Sequence, residues 1–377
     1  MGKHYVIIGA GILGASAAFH LAALNEKVTL IDRNDQGKAT DVAAGIISPW
    51  LSQRRNKAWY FLARNGAAYY PKLVEMLAKH DEYDVGYQKV GALHVHTDES
   101  KIDKIIALAK DRKAQAPEMG DVSKLSSEQV AHMFPLLTER LFAAYASGGA
   151  KVDGKKLSQA LKNAAIQLGA NFIEGDAVLS RQNEEYVQVN VNQQTLTADE
   201  IIVTTGAWGQ ETLRSLHVDF QVKPQKAQLL TMQLQERETE DWPVVIAPST
   251  LYMLAFEQGR TVIGTTHEDD KGFDLIPTAG AAHEILSKAF SLAPDMKKEE
   301  LVEIKVGFRP VVPHALPVIG RLPHVKNVMI ANGLGSSGLT VGPYLGKELA
   351  QLALGNDTEI DLDLYKIEQV IGGGNAV

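Results

Sequence analysis

Short apolar runs alternate with longer amphipathic stretches along this chain. Residues 4–8 form an apolar run of strand length, residues 12–24 an alanine-rich run of helical length, and residues 28–31 a second apolar run. Together they predict a β-α-β unit. Residues 59–79 predict a helix, because Leu62, Ala63, Ala67, Tyr70, Leu73 and Leu77 fall along one side. Residues 86–97 alternate as a strand does, and residues 99–140 read as charged and helical, with breaks at Pro117 and Pro135. A further amphipathic helix is expected at 152–168, followed by strands at 171–174, 186–191 and 200–204. The region 219–266 is mostly β in pattern, with strands at 227–233, 244–247, 251–256 and 261–265. A helix at 281–292, strands at 301–308 and 328–330 and a long helix at 338–354 complete the reading, and the glycine-rich end 372–377 reads as a mobile terminus.

Strand and helix alternate at the start, middle and end of the chain, with β-rich or mixed segments between them. This predicts an α/β protein with two interleaved domains. The expected division is a Rossmann-like dinucleotide domain from 1–85, 145–215 and 305–377, and an α+β substrate domain on a mainly antiparallel sheet from 86–144 and 216–304. With 377 residues and 45% hydrophobic positions, the chain can fill cores of that size.

Composition narrows the chemistry. A formal net charge of -7 lacks the basic balance that binding to a phosphate backbone requires, so nucleic acid is not an expected partner. The absence of cysteine excludes disulfides, thiolate metal sites, a cysteine nucleophile and a thioether-linked flavin. The apolar start carries glycines at turn spacing and resumes at Val28, which argues against a signal peptide, and no other stretch reaches the length of a membrane span. A cytoplasmic location is expected, and a homo-oligomer is compatible with the sequence.

Gly9-Ala10-Gly11-Ile12-Leu13-Gly14 matches G-x-G-x-x-G between a strand and a helix. In that context Gly9 permits the tight turn, Gly11 lets a pyrophosphate approach the helix N-terminus, and Gly14 allows close helix packing. Asp32 ends the next strand, at the offset expected of a carboxylate that holds ribose hydroxyls. The same pattern recurs at Gly333-Leu334-Gly335-Ser336-Ser337-Gly338, again between strand and helix, yet no strand bearing an acid follows it. This echo reads as a helix N-terminus aimed at another part of the same cofactor, or else as a turn.

Other polar groupings carry less. His94 and His96 share one strand face as a pair of metal ligands would, but no third ligand completes a set, and no metal is expected. Residues 267–270 read as a solvated loop, residues 101–113 as a solvent-facing helix, and Ser336-Ser337 lacks the setting of a hydrolase nucleophile.

At this point the chain resembles the D-amino-acid oxidase superfamily of FAD-dependent oxidoreductases, most closely its glycine oxidase branch. The residues that carry the resemblance are the N-terminal fingerprint, TDVAAGIIS from Thr40, Val152-Asp153 before a helix, IVTTGAW from Ile202, GFRPVVPHALPVIG from Gly307 and NVMIANGLGSSGLTVGP from Asn327. Gly154 stands where the family usually has proline. The resemblance implies non-covalent FAD held by Gly9, Gly11, Ile12, Leu13, Gly14, Asp32, Arg33, Ala39, Thr40, Ala44, Gly45, Ile46, Val178 and Gly206. The turn Leu334, Gly335, Ser336, Ser337, Gly338, Leu339 and Thr340 would face the flavin. Arg309 matches the arginine that clamps a substrate carboxylate, against the alternative of a strand-end ion pair. Tyr252 matches the tyrosine that covers the substrate, against the alternative of an aromatic in a β face.

The implied activity is oxidation of the C–N bond of glycine, sarcosine or a D-amino acid by hydride transfer to flavin N5, giving an imine and then a 2-oxo acid, with oxygen or another electron acceptor as partner. The alternatives are an FAD-dependent dehydrogenase of a 2-hydroxy acid and a flavin-bound subunit of a multi-subunit amine dehydrogenase. Three positions depart from the family: Ser336 stands for a second arginine, His314 for an aspartate, and Val262 for the lysine of sarcosine oxidases.

Overall fold

A computed structural model describes residues 2–235 and 237–372. Most of the glycine-rich end at 372–377 therefore lies outside the described residues.

The first strand, His4–Ile8, lies at the centre of a six-stranded sheet between Lys27–Asp32 and Glu200–Val203. Asn171–Glu174 and Val328–Asn332 extend it in parallel, and Val318–Arg321 closes one edge antiparallel. His4–Ile8 is almost wholly buried, as a parallel strand covered on both faces must be. The first helix, Ile12–Ala23, is buried all round apart from its last residue, and alanine is what makes this possible. Its neighbour, the last helix Gly338–Leu354, approaches through bare glycine: a Cβ on Gly342 would lie 2.7 Å from Ile12 and one on Gly346 2.6 Å from Ser16. The Ser16 hydroxyl donates to the Pro343 carbonyl across that contact at 2.7 Å.

The second layer is an eight-stranded sheet in the order 300–311, 223–233, 260–264, 252–255, 244–246, 92–96, 142–146, 122–125. Every pairing in it is antiparallel except that of Ala92–His96 with Val244–Ile246. Strand alternation gives it two faces. Leu93, Val95, Met253 and Ile263 pack against Val130 of the helix Ser127–Met133 and Ile285 and Ala289 of the helix Ala279–Leu292. Ala92, Val244, Leu254 and Val262 face the other way, towards Ala44 and the segment around it. Two three-stranded antiparallel sheets, 178–196 and one joining 46–47, 150–152 and 87–89, complete the architecture. This is the expected α/β arrangement, with a parallel dinucleotide-type sheet and a mainly antiparallel second sheet.

Four details differ from expectation. Residues 86–97 form two strands in different sheets, Tyr87–Lys89 and Ala92–His96, because Gly91 at φ 81° breaks the run and leaves room for the Tyr145 ring. Residues 99–140 contain the strand Val122–Leu125 between the helices Glu99–Lys113 and Ser127–Met133. The charged helix is also not simply solvent-facing, since Arg112 lies over the Tyr60 ring and donates to the carbonyls of Trp50 and Ser52. The expected divisions at 145 and 305 fall inside Phe142–Ala146 and Glu300–Val311, both strands of the eight-stranded sheet. No helix among the described residues is long and apolar enough to cross a membrane.

Candidate active site

One elongated cavity of about 840 Å³ runs between the two sheets. At one end stands the first glycine turn. Gly9 has φ 101°, and a Cβ there would meet the Thr204 carbonyl at 2.7 Å, while one on Gly14 would lie 1.9 Å from the Gly9 carbonyl. Gly9, Gly11, Ile12 and Leu13 line the cavity, and Gly14 packs behind it.

Asp32 lines the same end and is already tied to the turn: its carboxylate accepts from Ala10 N at 2.6 Å, Asn34 N at 2.7 Å and Lys38 Nζ at 3.4 Å. Arg33 lines the wall beside it and is held by Asp35 at 2.6 Å, Glu211 at 2.7 Å and Asp176 at 3.1 Å. Its bond to Glu211, followed by that to Asp35, holds its guanidinium above the ordinary value.

Ala39, Thr40, Ala44, Gly45 and Ile46 form the next stretch of wall. Thr40 Oγ1 accepts from Ile12 N at 3.0 Å, meeting one N–H at the start of the first helix. A Cβ on Gly45, at φ 90°, would strike the Val152 carbonyl at 1.8 Å, so only glycine lets this segment pass. Gly206 also lines the cavity with nothing within 4 Å of its absent Cβ. Val178 departs from expectation: it is half exposed on its strand and lies outside the wall, which its neighbours Gly175, Asp176 and Ala177 form instead. The outward turn of residue 178 along a period-2 strand accounts for this.

Leu334, Gly335, Ser336, Ser337, Gly338, Leu339 and Thr340 all line the cavity as well. Nothing lies within 4 Å of where a Cβ would stand on Gly335 or Gly338. Trp59 Nε1 donates to Ser337 Oγ at 2.8 Å and Thr340 Oγ1 donates to the Ile46 carbonyl at 3.0 Å, which fix the turn from both sides.

The remaining wall is the face of the eight-stranded sheet, and Arg309 and Tyr252 stand on it. The Arg309 guanidinium donates to Gln225 Oε1 at 3.3 Å, the Thr266 carbonyl at 3.1 Å and Thr265 Oγ1 at 3.1 Å. All three acceptors are neutral, and no carboxylate lies within 4 Å of it among the described residues. The alternative of a strand-end ion pair is thus not realised. Partial burial pulls the guanidinium below its ordinary value, and a cation so placed favours an anion beside it. Tyr252 faces Gly264 across the strand pair, where a Cβ would lie 2.4 Å from its hydroxyl. Burial pushes the Tyr252 phenol up, with the Arg309 charge opposing. Thr265 and this glycine vacancy carried no motif in the sequence; a glycine at the end of a strand was the one available signal.

His94 and His96 do share a face, and that face is the cavity wall. No cluster of three metal-ligating side chains exists among the described residues. His267 lines the cavity and, like Asp269 and Asp270, is exposed, as expected of a solvated loop, while Glu268 accepts from Gln228 Nε2 at 2.8 Å and Thr266 Oγ1 at 2.7 Å. Val262 is buried behind the wall, and His314 sits at φ 64° in the short turn Pro313–Ala315.

The family profile described as "FAD dependent oxidoreductase" (DAO) matches residues 4–352. The chain is 49% identical over 364 residues to the uncharacterized oxidoreductase YurR of Bacillus subtilis, covering 96% of this chain and 98% of that protein. It is 27% identical over 377 residues to the glycine oxidase of Pseudomonas putida, covering 99% and 100%. Among solved structures, the iminodiacetate oxidase IdaA of Chelativorans sp. BNC1 superimposes with a TM-score of 0.93 at 40% identity, covering 96% of this chain and 98% of that one. With a profile match over nearly its whole length and a close relative over the same span, this chain belongs to the DAO family of FAD-dependent oxidoreductases.

Proposed function

We propose that the cavity holds FAD along its length and that the chain oxidises the C–N bond of a small amino acid or N-alkyl amino acid. The observation that carries this reading is Arg309: a half-buried guanidinium without an anion, opening into the cavity beside Tyr252. Guanidinium and carboxylate fit through two parallel N–H···O bonds, which set orientation as well as charge. The residues present suit the cofactor. Bare glycine backbone of both turns faces the cavity, Asp32 stands beside the first for the ribose, and the helices that follow both turns start at the same space. The flavin, when bound, supplies the two-electron oxidation.

The protein's own residues would bind and align. Arg309 holds the carboxylate, Tyr252 closes over the bound molecule, and the apolar wall of Ala44, Leu229 and Ile246 excludes water. No side-chain base is required when the amine binds neutral. The relatives named glycine oxidase and iminodiacetate oxidase support an amino acid or a secondary amine bearing carboxylates as the substrate.

Anaerobic addition of glycine, sarcosine, iminodiacetate, D-alanine and D-proline to the FAD-loaded protein tests the reading, with bleaching of the flavin band as the expected result. If no member of the set bleaches it, the substrate class is wrong. Arg309→Leu should lower the second-order reduction rate by about a hundredfold or more, the scale of losing a buried charge-assisted pair, while FAD stays bound. Loss of FAD from that variant would make the arginine structural.

A further inference from the structure

One polar side chain on the cavity wall is left unused by this reading. His94 lines the cavity, its Nε2 is sealed from water without a hydrogen-bond partner, and neither ring nitrogen bonds to any described residue. A buried polar atom left unpaired is rare and calls for an explanation. Beside it on the same strand stands His96, whose Nδ1 accepts from Asp98 N at 2.8 Å, so that its other nitrogen carries the proton in the neutral ring. Lys101 and Ile105, one turn apart on the helix Glu99–Lys113, line the cavity as well, and Lys101 makes no ion pair among the described residues.

Strand register fixes where this group lies relative to Arg309. His94 pairs with Ile246, Ile246 with Tyr252, and Tyr252 with Gly264, so these four share one row on one face. The Arg309 guanidinium rests on Thr265, next to the end of that row. Three strand spacings separate His94 from Gly264 along that row, about 14 Å at ~4.8 Å each. Two carboxylates joined through a CH2–N–CH2 bridge span about 7 Å between outer oxygens by ordinary bond lengths. A hydrogen bond of ~2.8 Å at each end brings the reach to about 13 Å.

We propose that His94, with His96 and Lys101 beside it, forms a second carboxylate subsite, so that the preferred substrates are N-carboxyalkyl amino acids with one carboxylate on Arg309 and the other on His94. The proposal rests on the reading of Arg309 as the seat of the first carboxylate. It assigns substrate choice to a wall of the cavity that the reaction itself does not need. Glycine and sarcosine would leave His94 unpaired, whereas a bridged dicarboxylate would pair it.

The test uses the FAD-loaded protein and two ligands without an oxidisable C–N bond: diglycolate, which has both carboxylates, and methoxyacetate, which has one. Each is titrated against the flavin visible spectrum. Diglycolate should bind tighter by about tenfold or more, the scale of a hydrogen bond to a charged group. His94→Phe, which keeps the ring and removes its nitrogens, should erase most of that ratio by weakening diglycolate far more than methoxyacetate. Lys101→Met, at an exposed position, should reduce the ratio by a smaller factor and carries the test if His94→Phe does not load flavin. A wild-type ratio near one, or a ratio that survives both substitutions, overturns the proposal. Because neither ligand is oxidised, the result is independent of flavin bleaching by amines: a ratio that depends on His94 in a protein no amine reduces would sink the C–N reading and leave the subsite standing.

Discussion

The two G-x-G-x-x-G turns obey one pattern and do different physical work. At residues 9–14 the third glycine is pressed against backbone: a Cβ on Gly14 would lie 1.9 Å from the Gly9 carbonyl and 2.4 Å from Thr204 Oγ1. At residues 333–338 the third glycine looks into open space. The first turn is closed by its neighbours, with Thr204 Oγ1 donating to the Ile8 and Gly9 carbonyls and Asp32 accepting from Ala10 N. The second is held by Trp59 donating to Ser337 Oγ and by Thr340 donating to the Ile46 carbonyl, while its bare Gly333 makes room for Val312. Yet the helices that follow share a feature. Those at 57–78, 99–113, 127–133, 154–167 and 279–292 are capped by the side chains of Asn56, Asp98, Ser126, Asp153 and Thr278. The helices Ile12–Ala23 and Gly338–Leu354 have no such cap residue, and both start at the cavity. An N-terminus left with free N–H groups and a positive macrodipole end suits an electron-rich ligand. A sequence pattern thus marks a helix start at the cavity in both places, while only the surrounding packing tells which turn is also a keystone of the fold.

The largest effect that can break this comparison comes from a single methyl at Gly14. Gly14→Ala places a carbon within bonding range of a backbone oxygen, and neither the turn nor the Thr204 latch can move without opening the central strand. The expected cost is about 3 kcal/mol or more, the upper end of overpacking penalties. Chemical denaturation together with flavin content checks it. A variant as stable as the parent and fully yellow would show that the first turn is as open as the second.

A smaller, pH-dependent effect probes how the two motif helices are joined. His20, on the first helix, is 7% exposed. Its Nδ1–H donates to the Ser16 carbonyl at 2.6 Å, which leaves Nε2 to accept from the Tyr69 hydroxyl at 2.5 Å. Burial, with Lys347 of the last helix and Lys72 adding to it, lowers its pKa to about 4 from 6.5. The folded protein therefore resists a proton that the unfolded chain accepts. Stability is whole above the unfolded value and is lost as pH falls towards 4, by about 2 kcal/mol at pH 5. His94, also lowered to about 4 by burial, titrates over the same range, so the parent must be compared with a variant. His20→Gln should flatten the fall in denaturation midpoint between pH 7.5 and 5. An unchanged slope would place the acid sensitivity elsewhere.

How legible the molecule is from sequence follows the same division between local and distant causes. The β-α-β start, the last helix and the lining role of Asp32, Thr40 and Arg309 could be read, because short-range periodicity, glycine spacing and family motifs carry them. Val122–Leu125 was hidden, because two of its four residues are exposed on a sheet edge and its middle reads as polar. His94 and His96 could be placed on one face but not assigned to the cavity wall. That depends on parallel pairing with Val244–Ile246, about 150 residues away, for which no local pattern exists. Lys101 looked like part of a solvent-facing stripe for the same reason: the space it borders is created by other segments.

The smallest effect on stability, and the sharpest contrast with Gly14, is expected at Gly338. Its φ of -51° is helical and nothing lies within 4 Å of the missing Cβ, so alanine meets neither strain nor a clash. Glycine at a helical position also costs more backbone entropy than alanine, by at most about 1 kcal/mol. The flavin-stripped Gly338→Ala protein should therefore be as stable as the parent, or more stable by about 0.5 kcal/mol. The methyl enters the cavity, however, where the bare backbone is proposed to face the cofactor. Flavin affinity should fall by about fivefold, as for a mild overpacking of ~1 kcal/mol. Opposite signs for stability and flavin binding at Gly338, against losses in both at Gly14, are what an open turn and a packed turn require. If Gly338→Ala destabilised the stripped protein as Gly14→Ala does, the second turn would be a packing element and its place at the cavity incidental.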